Sequence, residues 1–421
     1  MVGFLLLLLL LLLAQRVPYI CDRERHACSH KKGFGFAERK KMISKSSLYH
    51  VVEAMAPLYV AMGLGYASVR FRALTPEQCA GINHFVALFA MPLLIFRMIS
   101  SNDPYAMNLR FIAADTIQKA AILAALALWA RLSARGSLAW VVTLFSLATL
   151  PNTIIMGVPI LRGMYGSMSG TLMVQIVVLQ FAFWYVLVVF LFEYMAAQRA
   201  LVAKQQQAAA IVLTVLDGDQ QINASAVVPV TEGDRDEDTS TEAATPPPPA
   251  EAEAAMAAPS VKLILLMAAK KILKNPSIHA SMLGLVWSFI AYREGIKLPT
   301  IIDDSVAIIS VSATGLATFS VGTFMAQQSR FISCGYSVAS LAMAMRFLVG
   351  PAVMAASSLA VGLHGDLLHV GIVQAALPLA VISFVYAKEY NVHPEIMSTG
   401  VIVGTFASFP ITIIYYILLG L

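Results

Sequence analysis

"LATLPNTIIMGVPIL", residues 147–161, lies in an apolar run long enough for a membrane helix, yet it contains Pro151, Asn152, Gly157 and Pro159. A proline inside a helix removes one amide donor and collides with the carbonyl one turn earlier. In hydrocarbon the freed carbonyl finds no water, so such a break survives only where the unwound backbone is buried in protein or lines a wet cavity. The same signature returns late in the chain, where "AALP" (375–378) echoes "ATLP" (148–151) and places Pro378 in another apolar run. Paired interrupted helices, one in each half of a chain, present half-helix N-termini to an anion near the bilayer midplane. Asn152 adds a side-chain amide next to the break, suited to a carboxylate.

Working outward, the 421 residues are 58% apolar and 13% charged, with mean hydropathy +0.74. Soluble domains carry about 25% charged residues. The chain is therefore read as an integral membrane protein whose main partner is the lipid bilayer. Ten apolar stretches are expected to span it as helices: 47–69, 79–100, 109–132, 138–163, 171–195, 272–292, 299–327, 336–362, 367–387 and 394–420. The net charge of +5 comes from Lys and Arg lying mainly between these stretches. They are topology signals, and no nucleic-acid partner is expected. Cys21, Cys28, Cys79 and Cys334 are scattered and form neither a disulfide framework nor a zinc pattern.

Four regions follow. Residues 1–45 form an atypical extension, signal-like or disordered: the run Phe4 to Ala14 is too short to span, and a basic tract follows it. Residues 46–195 hold five spans. Residues 196–260, with the acidic "EGDRDED" and the "PPPP" of 246–249, are expected to be a disordered cytosolic loop. Residues 261–421 hold five more spans, led in by an interfacial helix, "VKLILLMAAKKILK" (261–274). An odd number of spans per half makes the second half enter the membrane from the opposite side, which allows an inverted repeat. Pro57 and Gly65 in span one are echoed by Pro276 and Gly284 in span six. The fold expected is an all-α membrane protein of ten helices, two inverted five-helix repeats with broken, crossing helices four and nine. Basic residues in the short loops, Arg70, Arg72, Arg131, Arg135, Arg330 and Lys388 among them, gather on the side of the loop 196–260 and put that side in the cytosol. The basic tail before residue 45 runs against this unless the leucine run is a signal sequence.

Ionisable groups inside spans mark function more often than packing. In "FIAADTIQKA" (111–120), Asp115 and Lys119 are four residues apart and share one helix face; they read either as a structural ion pair or as polar support beside a transport path. Arg346 is the charge in span eight, either functional or snorkelling to an interface. No HExxH, GxSxG or paired catalytic aspartates occur. His279, His364, His369 and His393 are dispersed. An enzyme, a metal site and a cofactor are not expected.

Several long segments now carry a resemblance: "EAMAPLYVAMGLGYASVRF" (53–71), "PYAMNLRFIAAD" (104–115), "LATLPNTIIMGVPIL" (147–161), "AMRFLVGPAVMAASSLAVGL" (344–363) and "FVYAKEYNVHPEIMSTGVIVGTFASFPITIIYYILLGL" (384–421). They are similar to the PIN-FORMED auxin efflux carriers of plants, and the likeness runs from about residue 47 to the end apart from the loop. The resemblance implies a homodimer that exports the indole-3-acetate anion by uncoupled alternating access, without metal or nucleotide. It implies that Asn152 binds the carboxylate, that Pro151 and Pro378 shape the crossing, and that Val381 and Ile382 line it. Tyr185 would flank the aromatic ring, Ile154 and Met91 would form apolar walls, and Asp115 with Lys119 would support the site.

Where this chain reads "NPSIHASMLGL" (275–285), the family has asparagine at Ser277 and tyrosine at His279. In "ALPLAVISFVY" (376–386) a polar glutamine is lost at Leu379 and a second proline at Ser383, and Ile95 occupies a position that is small and polar in the family. A less polar, less distorted second crossover is the expectation. The loop of about 65 residues resembles the short-loop subgroup, which implies the endoplasmic reticulum membrane rather than the plasma membrane. Two alternatives remain: a sodium-coupled organic-anion symporter of similar fold, and a membrane sensor that binds without transporting.

Overall fold

The computed structural model describes residues 45–224 and 273–420, apart from 329 and 331, together with 262, 266, 269 and 270. The N-terminal extension and most of the expected interfacial helix lie outside these residues. Every regular element described is helical. The order is α1 (Lys45–Arg70), α2 (Pro76–Ser100), α3 (Leu109–Leu132), α4 (Leu138–Thr149), α5 (Thr153–Tyr165), α6 (starting as Ser167–Leu179 and ending as Tyr185–Ala224), α7 (Pro276–Glu294), α8 (Thr300–Gln327), α9 (Tyr336–Ala360), α10 (Asp366–Ala375), α11 (Val381–Glu389) and α12 (Pro394–Gly420). Among the described residues, α2, α3, α8, α9, α12 and the Ser167–Ala203 part of α6 are long and apolar enough to cross a membrane, while α4 and α5 are shorter apolar helices.

Local chemistry sets the helix starts. Thr75 and Gln78 close a capping box ahead of α2, the Thr75 hydroxyl accepting from the Gln78 amide and the Gln78 side chain accepting from the Thr75 amide. Asn108 and Ser137 cap α3 and α4 through their side-chain oxygens. The helix that follows the π-helical turn at Gln180–Trp184 continues to Ala224. It enters the stretch expected to be disordered from 196 onward. The reason lies in "ALVAKQQQAAAIVLTVL" (200–216), rich in Ala, Gln and Leu, which are good helix formers whatever their burial. The acidic and proline-rich part of that loop lies outside the described residues.

Close helix seams rest on glycine. A Cβ on Gly65 of α1 would stand 2.0 Å from the Phe319 carbonyl of α8, and one on Gly322 of α8 would stand 1.9 Å from the Met62 carbonyl of α1. Those two helices pack backbone to backbone. Gly284 of α7 sits in the same way against α2, where a Cβ would come 3.0 Å from the Phe96 carbonyl. The core lies around the broken segments, where Phe145, Leu147, Leu150, Leu161 and Leu377 are fully buried.

Candidate transport site at the helix crossing

The helical run through span four stops at Thr149 and resumes at Thr153, and the run through span nine stops at Ala375 and resumes at Val381. The two gaps meet. The Asn152 amide donates to the Pro378 carbonyl at 2.8 Å and the Ala380 amide to the Leu150 carbonyl at 3.1 Å, an antiparallel bridge between Pro151 and Leu379. Each break thus supplies hydrogen-bond partners for the other, as hydrocarbon requires. The second break is complete although Ser383 stands where a further proline was expected. Pro378 alone suffices because α10 already ends at Ala375, and Leu379 is held by packing against Gly400 of α12.

Beyond the bridge, the first-turn amides of Ile154 and Ile155 in α5, and of Val381 and Ile382 in α11, have no backbone acceptor among the described residues. Neither N-terminus is capped by a side chain. Two positive dipole ends therefore stand at the crossing. Asn152 is buried, and its side-chain amide makes no hydrogen bond among the described residues.

A clasp that sequence reasoning missed holds the first break. Gln180 donates to the Pro151 carbonyl at 2.8 Å and to the Tyr185 hydroxyl at 3.3 Å, while its own carbonyl accepts from the Thr153 hydroxyl at 2.8 Å. Gln180 starts a π-helical turn, Thr153 starts another at Thr153–Gly157, and Arg346 lies in a third at Met345–Val349. Such turns rotate one residue out of the helical register and concentrate at functional sites. The available signal was a lone glutamine within the apolar "VVLQFAFW" (177–184). Replacing Gln180 by leucine removes one donor to the Pro151 carbonyl, which keeps the Thr153 amide at 2.9 Å, and leaves the Thr153 hydroxyl only its longer bond of 3.3 Å to that carbonyl. The apparent melting temperature should fall by the equivalent of about 1 to 3 kcal/mol, read by thermal unfolding in detergent; an unchanged value would mean that water replaces the clasp.

Asp115 and Lys119 are fully buried and paired with each other. Gln374 of α10 donates to Asp115 at 3.0 Å, Gln118 donates to the Gly350 carbonyl of α9 at 2.8 Å, and the Lys119 ammonium lies 5.9 Å from the centre of the Trp184 ring. Arg346 is buried as well and donates to the carbonyls of Leu147 and Leu377, so it does not snorkel.

The other residues singled out from sequence fall in three places. Tyr185, Ser277 and Ile382 line one cleft, together with Phe181, Ile278 and Tyr386. Asn152 opens into a second, lined also by Tyr59, Met62, Thr318 and Thr405. Asn275 donates to the Tyr386 hydroxyl at 3.1 Å beside the first, and the Tyr59 hydroxyl donates to the Thr405 carbonyl at 2.9 Å beside the second. Ile95 of α2 and Ile154 of α5 are buried in the core, Met91 is partly buried, and none of the three lines either cleft. His393 packs: its Nδ1 is 3.0 Å from the Thr143 hydroxyl and its ring lies on Trp140 with centroids 4.5 Å apart. Burial, and then the charge of Arg199, hold its pKa below the ordinary histidine value. Among the described residues no group of His, Cys, Asp or Glu could hold a metal ion.

Residues 50–416 match the profile of a family described as "Membrane transport protein". The chain is 50% identical to the probable auxin efflux carrier component 9 of Oryza sativa subsp. japonica, over 90% of this chain and 100% of that protein. The chain belongs to the auxin efflux carrier family. Auxin efflux carrier component 8 of Arabidopsis thaliana is 42% identical over the same shares of both chains. Component 4 of Arabidopsis thaliana is 32% identical, in an alignment of 616 positions that exceeds the 421 residues here because that carrier holds additional sequence. This family member is accordingly a multi-pass membrane transport protein and not an enzyme.

Proposed function

We propose that this carrier exports the indole-3-acetate anion from the cytosol by uncoupled alternating access, driven by the gradient of the anion and the membrane potential. The observation that carries this reading is the crossing itself, where two uncapped helix N-termini and the free amide of Asn152 offer donors to a carboxylate. Family membership supplies the substrate class. One charge moved through 100 mV is worth about 2.3 kcal/mol, enough to drive net flux without a coupled ion.

Ten spans in two inverted repeats complete the proposal. Exchanging the halves turns α6, α7 and α11, which line the first cleft, into α12, α1 and α5, which line the second together with α8. The glycine seams support the same relation, since Gly65 and Gly284 hold corresponding places. Each cleft would then serve one side of the membrane. Indole-3-acetate would move between them past Asn152, with Tyr185, Ser277, Val381 and Ile382 along its way and Asp115 with Lys119 bracing the crossing behind. Met91, Ile95 and Ile154 would act through packing. Assembly as a homodimer and residence in the endoplasmic reticulum are part of the proposal, the latter supported by the short loop.

Replacing Asn152 by alanine removes a donor to the carboxylate and leaves its backbone bridge intact. A hydrogen bond to a charged group contributes about 1.5 to 3 kcal/mol, so the apparent affinity should fall roughly 10- to 100-fold. Radiolabelled indole-3-acetate flux from a heterologous cell, with sodium and pH varied, measures this. Sodium-dependent uptake would favour the symporter instead, and binding without flux the sensor.

A further inference from the structure

Pro151 offers no amide to the Leu147 carbonyl four residues earlier, and unwinding at Pro378 leaves the Leu377 carbonyl outside any helix. One side chain of α9 takes both. Arg346 donates from Nη1 to Leu147 at 3.0 Å and from Nε to Leu377. Its Nη2 has no partner among the described residues. Among the described residues no carboxylate forms an ion pair with it, and Asp115 is engaged by Lys119 and Gln374.

Carbonyls at unwound half-helix C-termini are the ligands from which transporters build sites for coupled sodium ions. Here a guanidinium already sits on them. We infer that Arg346 is a built-in cation: it occupies the carbonyls a coupled sodium would need and neutralises the negative ends of α4 and α10. The free amides of α5 and α11 are then left to select an anion. Arg346 is thus a positioning residue, and the inference rests on reading the crossing as an anion site.

The test compares wild type, Arg346→Ala and Arg346→Lys in proteoliposomes and in thermal unfolding, with and without millimolar methylguanidinium. Wild-type flux of indole-3-acetate should be equal in sodium, potassium and choline salts. Arg346→Ala should lose at least about tenfold. Arg346→Lys should keep a larger share than Arg346→Ala because it retains the positive charge, and fall short of wild type because a single ammonium cannot match the fork of a guanidinium across two carbonyls. Methylguanidinium should restore flux to Arg346→Ala and raise its melting temperature while leaving wild type unchanged. An Arg346→Ala protein that transports at the wild-type rate, or ignores methylguanidinium in both readouts, would overturn the inference, as would sodium-dependent flux in wild type. If wild type moves no indole-3-acetate, the carrier reading fails, while the unfolding measurement, which needs no substrate, still decides the role of Arg346.

Discussion

Replacing Lys119 by methionine is expected to destabilise the purified protein by about 3 to 5 kcal/mol, because it removes one member of a buried ion pair and strands the other. Asp115 would keep only the hydrogen bond from Gln374, with no water at that depth to solvate its charge. Asp115→Asn alone leaves the opposite fault, an unpaired ammonium in a region that already holds the Arg346 guanidinium. The double variant Asp115→Asn/Lys119→Met should recover most of the loss, since exchanging both partners of a buried pair for neutral groups is often close to neutral. Thermal unfolding of the three variants in one detergent measures this. If Lys119→Met melts with wild type, the pair is not isolated from water and cannot brace the crossing.

Alanine at Gly65 or Gly322 should open the seam between α1 and α8, with a loss of about 1 to 3 kcal/mol each, and more where backbone must move. The atoms in the way are the Phe319 and Met62 carbonyls, so no rotamer change can relieve the contact. Gly63 of α1 and Gly315 of α8 are controls on the same helices, because a Cβ on either meets nothing within 4 Å. Alanine there should be neutral or stabilising by roughly 0.5 to 1 kcal/mol, the ordinary helical preference over glycine. Apparent melting temperature and the yield of folded protein separate the two groups. Equal behaviour of Gly63→Ala and Gly65→Ala would mean that the seam is looser than its geometry.

Both breaks were legible in the sequence because proline acts locally: Pro151 and Pro378 lack an amide in any fold, and lipid makes the consequence severe. The Asp115 and Lys119 pair was legible for a similar reason, since four-residue spacing fixes a shared face. Arg346 was visible as a charge, but its two carbonyl partners come from α4 and from the gap after α10, and no local pattern reveals them. Gln180 was overlooked because a single glutamine in an apolar span announces polarity without direction, and the π-helical turn that aims it leaves no mark in composition. The helix α6 runs on to Ala224 because alanine, glutamine and leucine favour helix regardless of burial, a preference that the polar composition of the stretch conceals. The separation of Asn152 from Tyr185, Ser277 and Ile382 into two clefts depends on how both halves of the chain pack together, which short motifs do not encode.

The most direct measurement is an experimental density map of the carrier in lipid nanodiscs with indole-3-acetate bound. The expected result is a carboxylate at the crossing, within hydrogen-bond distance of the Asn152 side chain or the first-turn amides of α5 and α11, with Asn152 and Ala380 still bridged to Pro378 and Leu150. Continuous helices through Pro151 and Pro378, or a carboxylate bound away from both breaks, would contradict it.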